Sequence, residues 1–359
     1  MKILYAIQGT GNGHLSRARD IIPLLQRNND LDILVSGTQS DIELPYPVKY
    51  RFEGLSFIFG ANGGINLVET YRKNFVKRLL GEINSLPVED YDLVINDFEP
   101  VSAWACKLKN VKCIALSHQA AVLYKKTPRP ADVDLIGRAV LKNYAPASFK
   151  YGFHFKPYSE TIFTPVIRRQ IREQKPENKG HYTVYLPAYD DKRILKVLKQ
   201  CGDVNWQVFS KHNKMLSGHG NVTIQPIDNE AFIKSMATSE GVLCGAGFET
   251  PAEALFMKKK LMVIPMKGQY EQQCNAAALK AMGVPVIKSL KPDKVEKIQN
   301  WIAGTKRIEV DYPDITEEII TKILSVHAES EADTFQPVQE VYSVKKFRNL
   351  ILKKIVAQI

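Results

Sequence analysis

Three segments of the chain carry glycines and side chains whose types and spacing suit chemistry. The first is Gly9-Thr10-Gly11-Asn12-Gly13-His14, between the apolar run KILYAI and the amphipathic run LSRARDIIPLLQR. Glycines at a strand-to-helix turn let the backbone approach a ligand closely, and the free N–H groups of the helix start favour an anion. His14 at the end of this loop can take a proton or donate to a phosphate near neutral pH. The plain alternative is a tight turn with no ligand. A dinucleotide loop fits poorly: the G-x-G-x-x-G spacing is missing, and DILVSGTQ ends without the acidic residue such a site needs.

The second segment is Gly245-Ala246-Gly247-Phe248-Glu249-Thr250-Pro251-Ala252-Glu253, after the run GVLC. Thr250 and Glu253 have the spacing of a capping box, with Pro251 at the first helical position, and a cap alone would account for them. The same geometry exposes N–H groups of Gly245 to Thr250 to a diphosphate, and a carboxylate in a first turn can accept from two ribose hydroxyls. The third segment runs from Lys260 through Pro265 into Met266-Lys267-Gly268-Gln269-Tyr270-Glu271-Gln272-Gln273-Cys274-Asn275. Its amides and carboxylate suit sugar hydroxyls, which need both donors and acceptors. Polar loops are common, so this segment says little alone.

A group transfer to a hydroxyl needs a base, and the candidates are His14, Asp97 and Glu99. The two acids come from VINDFEP, where an apolar run ends as a parallel strand would at a ligand-binding edge. Asp97 is equally well placed to form a turn or a cap. Ser117-His118-Gln119 ends the next apolar run on the same rim. Asp190 and Asp191 precede a helical run and are read as an N-cap and a first-turn charge rather than as metal ligands.

The elements that must hold these groups alternate regularly. KILYAI, DILVS, YDLVIND and VKCIALS read as buried parallel strands, with helical spacing in LSRARDIIPLLQR and TYRKNFVKRLLGEINSL. The periodicity fails over APASFKYGFHFKPYSETIFTPV, which is read as the crossing into a second unit. Alternation then resumes through HYTVYLP, WQVFS, NVTIQPI, GVLCGAG and KLMVIP, with helices between them. The fold class is therefore α/β. The expected division is 1–155, 156–335 and a last helical stretch over 336–359 that packs back on the first unit.

Taken in order, the three segments resemble the GT-B glycosyltransferases, most closely the branch containing the lipid-linked N-acetylglucosaminyltransferase of peptidoglycan synthesis. The sharp part is Gly241 to Ala276, GVLCGAGFETPAEALFMKKKLMVIPMKGQYEQQCNA. The resemblance implies two Rossmann-like parallel-sheet domains facing across a cleft and a UDP-sugar donor as substrate, with no cofactor and no bound metal. It places the uracil against Ile227, the diphosphate at Gly247, Phe248 and Thr250 beside Gly245, and the ribose on Glu253. Donor sugar hydroxyls fall to Glu271, Gln272 and Asn275, while Gly11, Asn12, Gly13 and His14 face the donor across the cleft. Two departures stand out: Glu249 sits where the family more often has a small or apolar residue, and LPAYDD replaces a glycine or serine turn. Inverting transfer by direct displacement is what the resemblance implies. Two other functions fit the same residues: a nucleotide-sugar 2-epimerase, which needs several acids around the sugar, and a nucleotide-sugar-binding protein without turnover.

Composition bounds the partners. The chain has 359 residues, enough for two cores, and a formal net charge of +11, which favours an anionic partner. Aromatic and basic residues are not grouped as in RNA-recognition motifs and no zinc-finger spacing occurs, so nucleic acid is not expected. The five cysteines include no C-x-x-C pair, and a reducing cytoplasm is expected. No apolar stretch approaches the roughly 20 residues of a membrane span. The basic residues Lys345, Lys346, Arg348, Lys353 and Lys354 form a solvated face or, less commonly, a peripheral contact with an anionic membrane. The acceptor is undefined; the glycine-rich centre of PYPVKYRFEGLSFIFGANGGINLVETYRKN is a candidate for an amphiphilic acceptor or an ordinary loop.

Overall fold

In the computed structural model, residues 1–37, 44–55, 73–132 and 134–328 are described. The first unit runs β1 (Lys2–Gln8), α1 (Asn12–Gln26), β2 (Asp30–Ser36), β3 (Tyr50–Phe52), α2 (Lys73–Ser85), β4 (Leu93–Asp97), α3 (Pro100–Lys109), β5 (Cys113–Ser117), α4 (His118–Val122), α5 (Leu135–Tyr144), β6 (Phe149–Phe153) and β7 (Ile162–Phe163). After α6 (Arg169–Arg172) the second unit runs β8 (His181–Tyr185), α7 (Asp191–Leu198), β9 (Asn205–Ser210), β10 (Ser217–His219), β11 (Val222–Pro226), α8 (Asn229–Thr238), β12 (Gly241–Gly245), α9 (Glu249–Phe256), β13 (Lys260–Ile264), α10 (Tyr270–Ala281) and α11 (Val295–Ala303). A helix α12 (Thr316–Ala328) ends the described chain.

Among the described residues the first sheet has the order β3-β2-β1-β4-β5-β6-β7 and is parallel throughout. Its strands β4 and β5 are buried at every position, which is why LVIND and CIALS read as near-continuous apolar runs. The second sheet has the order β10-β11-β9-β8-β12-β13, with only β10 antiparallel to its neighbour. In each sheet the strand order reverses beside the first strand, between β1 and β4 and between β8 and β12. Crevices at such reversals are where open α/β sheets hold ligands. Both sheets are Rossmann-like.

One boundary differs from the sequence expectation. Residues 149–163 do not leave the first unit: β6 and β7 extend its sheet beyond residue 155. Their aromatic, proline-rich sequence hides short strands, buried only over Tyr151–Phe153 in the first. The helix α12 packs on α1 of the first unit: Arg27 pairs with Glu317, and Tyr151 Oη lies 3.1 Å from His327 Nε2. The stretch 336–359 lies outside the described residues, as do residues 56–72 of the glycine-rich acceptor candidate. Among the described residues no helix is long and apolar enough to cross a membrane.

Candidate active site

The turns leaving β1 and β4 open onto one crevice because those strands are neighbours. The first turn passes through Gly11 at φ 92° and ψ 158°, a backbone that residues with a Cβ rarely adopt, and places His14 in the opening turn of α1. The second passes through Phe98 at φ 57°, unusual for so bulky a residue. On either side of Phe98 two carboxylates take opposite courses. Asp97 meets His14, while Glu99 caps α3.

His14 Nδ1 lies 2.8 Å from Asp97 Oδ1, and Arg17 Nη2 donates to both oxygens of Asp97 at 2.8 Å. Asp97 is fully buried, whereas the His14 side chain keeps 12% exposure, so of this pair only the imidazole can meet a ligand. Burial works against the charged imidazole, but the carboxylate beside it prevails and holds the His14 pKa above its ordinary value. Burial likewise opposes the charge on Asp97, and Arg17 and His14 together overcome it and keep the carboxyl below its usual range. Gln119 Nε2 approaches His14 Nε2 at 3.3 Å, so Nδ1 carries the proton and Nε2 presents a lone pair.

Glu99 is corrected as a base. Its oxygens accept from Val101 N at 2.7 Å, Ser102 N at 2.6 Å and Ser36 Oγ at 2.5 Å, and the residue is wholly buried. Burial raises its pKa even against these bonds. It serves the start of α3, not the crevice.

The facing wall comes from the second unit. The loop Gly245–Gly247 leads from β12 into α9, and a Cβ added at Gly247 would meet nothing within 4 Å, so backbone and space adjoin there. The capping box expected from Thr250 and Glu253 does not form. The helix starts two residues earlier, at Glu249, with Phe248 at its N-cap and no side-chain cap. Glu253 instead takes a two-pronged pair from Arg168, Nε to Oε1 at 2.5 Å and Nη2 to Oε2 at 2.9 Å. Phe248 is not turned to the open space; it stacks on His118 with ring centroids 3.9 Å apart. Glu249 pairs with Arg17 of the first unit, its carboxylate against Gly13.

The third segment also meets the first unit. Gln119 Nε2 donates to Glu271 Oε2 at 3.0 Å, and His118 Nε2 lies 2.7 Å from Asn275 Oδ1, whose amide donates to Ala246 O at 3.1 Å. Gln272 accepts from Met266 N at 2.9 Å and fixes its own loop. Ile227 is half-buried in the loop after β11. Asp190 caps α7 through Arg193 N at 2.8 Å and Asp191 stands in its first turn, as the sequence predicts; Asp191 also accepts from Ser210 Oγ at 2.6 Å. Among the described residues no three His, Cys, Asp or Glu side chains are grouped to hold a metal ion.

The structure thus brings together His14, Asp97, Gly13, Glu271 and Asn275, and sets Glu99 apart. Arg17 and Arg168 are absent from the sequence reading. Arg17 had a signal, since a spacing of three residues from His14 puts both on one helix face. Arg168 had none, because its partner Glu253 is 85 residues away.

The family model described as glycosyl transferase family 1 matches residues 1–303. Similar solved structures include a UDP-glucosyltransferase from Polygonum tinctorium, in a complex with 3,4-dichloroaniline, at 11% identity and TM-score 0.56, covering 91% of this chain and 98% of that one. UGT89C1 of Arabidopsis thaliana, complexed with UDP, is similar at 12% identity and TM-score 0.55, with 99% of each chain covered. MurG of Acinetobacter baumannii is similar at 15% identity and TM-score 0.50, covering 98% of this chain and 99% of that one. At these identities the likeness concerns the fold, which is GT-B. No curated protein sequence matches the chain.

Proposed function

Since the chain belongs to glycosyl transferase family 1, we propose that it moves a hexose from a UDP-sugar to a hydroxyl of a lipid or glycan acceptor, without a bound metal, with His14 as the base. The observation that carries this reading is the His14–Asp97 pair: Asp97 holds Nδ1, and Nε2 faces the Gln119 amide, which links it to Glu271 of the second unit. The acceptor oxygen attacks the anomeric carbon, its proton passes to Nε2, and the bond to the diphosphate oxygen breaks with both electrons leaving on UDP. Asp97 stabilises the imidazolium formed, in the manner of a buried carboxylate behind a catalytic histidine. The start of α9, reached through the open turn at Gly247, offers partial positive charge to the departing diphosphate.

Displacement from the face opposite the leaving group inverts the anomeric centre. Uracil is assigned to Ile227, ribose to Glu253, and the sugar to Glu271, Gln272 and Asn275, with the main chain of Phe248 and Thr250 at the diphosphate. A 2-epimerase is less well supported, because Asp97 and Glu99 are buried and engaged, which leaves Glu271 alone among the acids expected around the sugar. A cytoplasmic setting is proposed on the five cysteines, all buried and unpaired. Contact with an anionic membrane rests on the charge of Lys345 to Lys354 alone.

The test is heat stability with a panel of nucleotides and nucleotide sugars. A ligand at 100 times its dissociation constant adds about 2.7 kcal/mol. A selective rise in Tm with UDP or one UDP-sugar supports the donor site; no rise with any nucleotide overturns the reading.

A further inference from the structure

Gln119 stands in the first turn of α4, is 4% exposed, and touches both halves of the site at once. Its Nε2 approaches the free nitrogen of His14 at 3.3 Å on one side and donates to Glu271 of the second unit at 3.0 Å on the other. Glu271 fixes which end of the amide is which, since Oε1 in that place would face a carboxylate. Oε1 is thereby aimed elsewhere, and it is buried with no hydrogen-bond partner among the described residues. A buried acceptor left unpaired carries an uncompensated desolvation cost. Such a group in a ligand cleft is matched by a ligand that brings a donor.

We propose that Gln119 is a specificity-determining residue of the first unit, whose Oε1 accepts a hydroxyl of the transferred hexose while Glu271 accepts a second hydroxyl from the other wall. The proposal rests on the UDP-sugar reading above and adds to it that the sugar is read from both units. Its chemistry selects a hexose with two free hydroxyls on the side facing His14. The same amide occupies the His14 lone pair in the structure, so engaging the sugar draws it off Nε2 and opens that nitrogen to the acceptor hydroxyl. Donor recognition and exposure of the base are then one movement.

The experiment is isothermal titration of the full chain with UDP, UDP-glucose, UDP-galactose and UDP-N-acetylglucosamine, for the wild type, Gln119→Ala and Gln119→Glu. UDP lacks the sugar, so its Kd is expected within about twofold in all three proteins, which also shows the variants folded. The preference of the wild type for its best UDP-sugar over UDP is expected to fall at least tenfold in Gln119→Ala, since a site built to pair a hydroxyl loses discrimination with the pairing group. An NMR titration of the His14 ring is expected to shift to higher pH in Gln119→Glu, where a carboxylate replaces the amide beside Nε2. UDP binding with an intact sugar preference in Gln119→Ala overturns this proposal alone. No UDP binding by the wild type overturns the donor reading and this proposal together.

Discussion

Arg17 and Glu249 meet across the cleft in an ion pair that lies against the backbone of Gly13. A Cβ at Gly13 would land on Glu249 Oε2 and come within 2.8 Å of its Cδ, so the glycine is what lets the carboxylate of one unit lie against the helix start of the other. This also bears on the charge problem that Glu249 poses beside a diphosphate: its carboxylate is paired with the same guanidinium that holds Asp97, which offsets part of its charge.

The arrangement predicts strong coupling between positions 13 and 249. Alanine is favoured over glycine inside a helix by roughly 0.5–1 kcal/mol, so Gly13→Ala should stabilise the protein when Glu249 is already alanine. With Glu249 present it should destabilise, because the new methyl displaces a carboxylate pinned by Arg17. Denaturant unfolding of the two single variants and the double variant measures this; additivity within about 0.5 kcal/mol would sink the idea. Arg17→Met, which leaves Asp97 buried without its cation, should cost about 3–5 kcal/mol.

The His14–Asp97 pair predicts a specific pH profile. The base acts when neutral, so UDP release from the donor should rise with pH through the His14 pKa, which lies above its ordinary 6.5. His14→Ala should lower the rate about 10²–10⁴-fold with UDP binding retained. In Asp97→Asn the carboxylate that opposed burial is gone, so the acid limb should move to lower pH while the plateau falls. A limb that stays in place would show that another group titrates. The sign for stability is the reverse: a histidine raised by its partner contributes in full below pH 6.5 and loses that contribution as pH rises through the folded value.

Much of the scaffold was legible because it is carried by short-range pattern. The strands KILYAI, YDLVIND and VKCIALS announce themselves as apolar runs, and the glycine loops after β1 and β12 stand at strand-to-helix junctions. Pairings between distant residues were not legible. Thr250 and Glu253 have the local spacing of a cap, yet Arg168, far away in sequence, claims Glu253. Asp97 and Glu99 look equivalent in VINDFEP, and only the left-handed turn at Phe98 separates them. The strands β6 and β7 were hidden by aromatic and proline content that mimics a linker.

The Glu253–Arg168 pair bears on the ribose assignment. A carboxylate has room for about four hydrogen bonds, and Arg168 takes one at each oxygen. If ribose hydroxyls use the rest, Glu253→Gln should weaken UDP at least tenfold and leave inorganic pyrophosphate unchanged, measured by titration calorimetry. Equal loss for both ligands would assign Glu253 to holding α9 in place rather than to the ribose.

Buried histidines set the acid limit of the fold. Burial pushes His154 well below the ordinary 6.5, and the neighbouring His118 adds to the shift. Its Nδ1 accepts from Phe155 N at 2.9 Å, a bond that needs the nitrogen unprotonated, and its Nε2 is buried without a partner among the described residues. Burial lowers His118 as well, although both of its nitrogens face acceptors, Phe153 O and Asn275 Oδ1. Unfolded histidine takes its proton near pH 6.5 while these remain neutral when folded, so stability is lost as pH falls below 6.5. Each such group contributes at most about 1.4 kcal/mol per pH unit. His154→Phe removes one of them at the cost of the Phe155 bond, so it should be less stable than wild type at pH 7 and lose less between pH 7 and pH 5. Urea unfolding at the two values decides; an equal loss in both proteins would assign the acid sensitivity to groups other than His154.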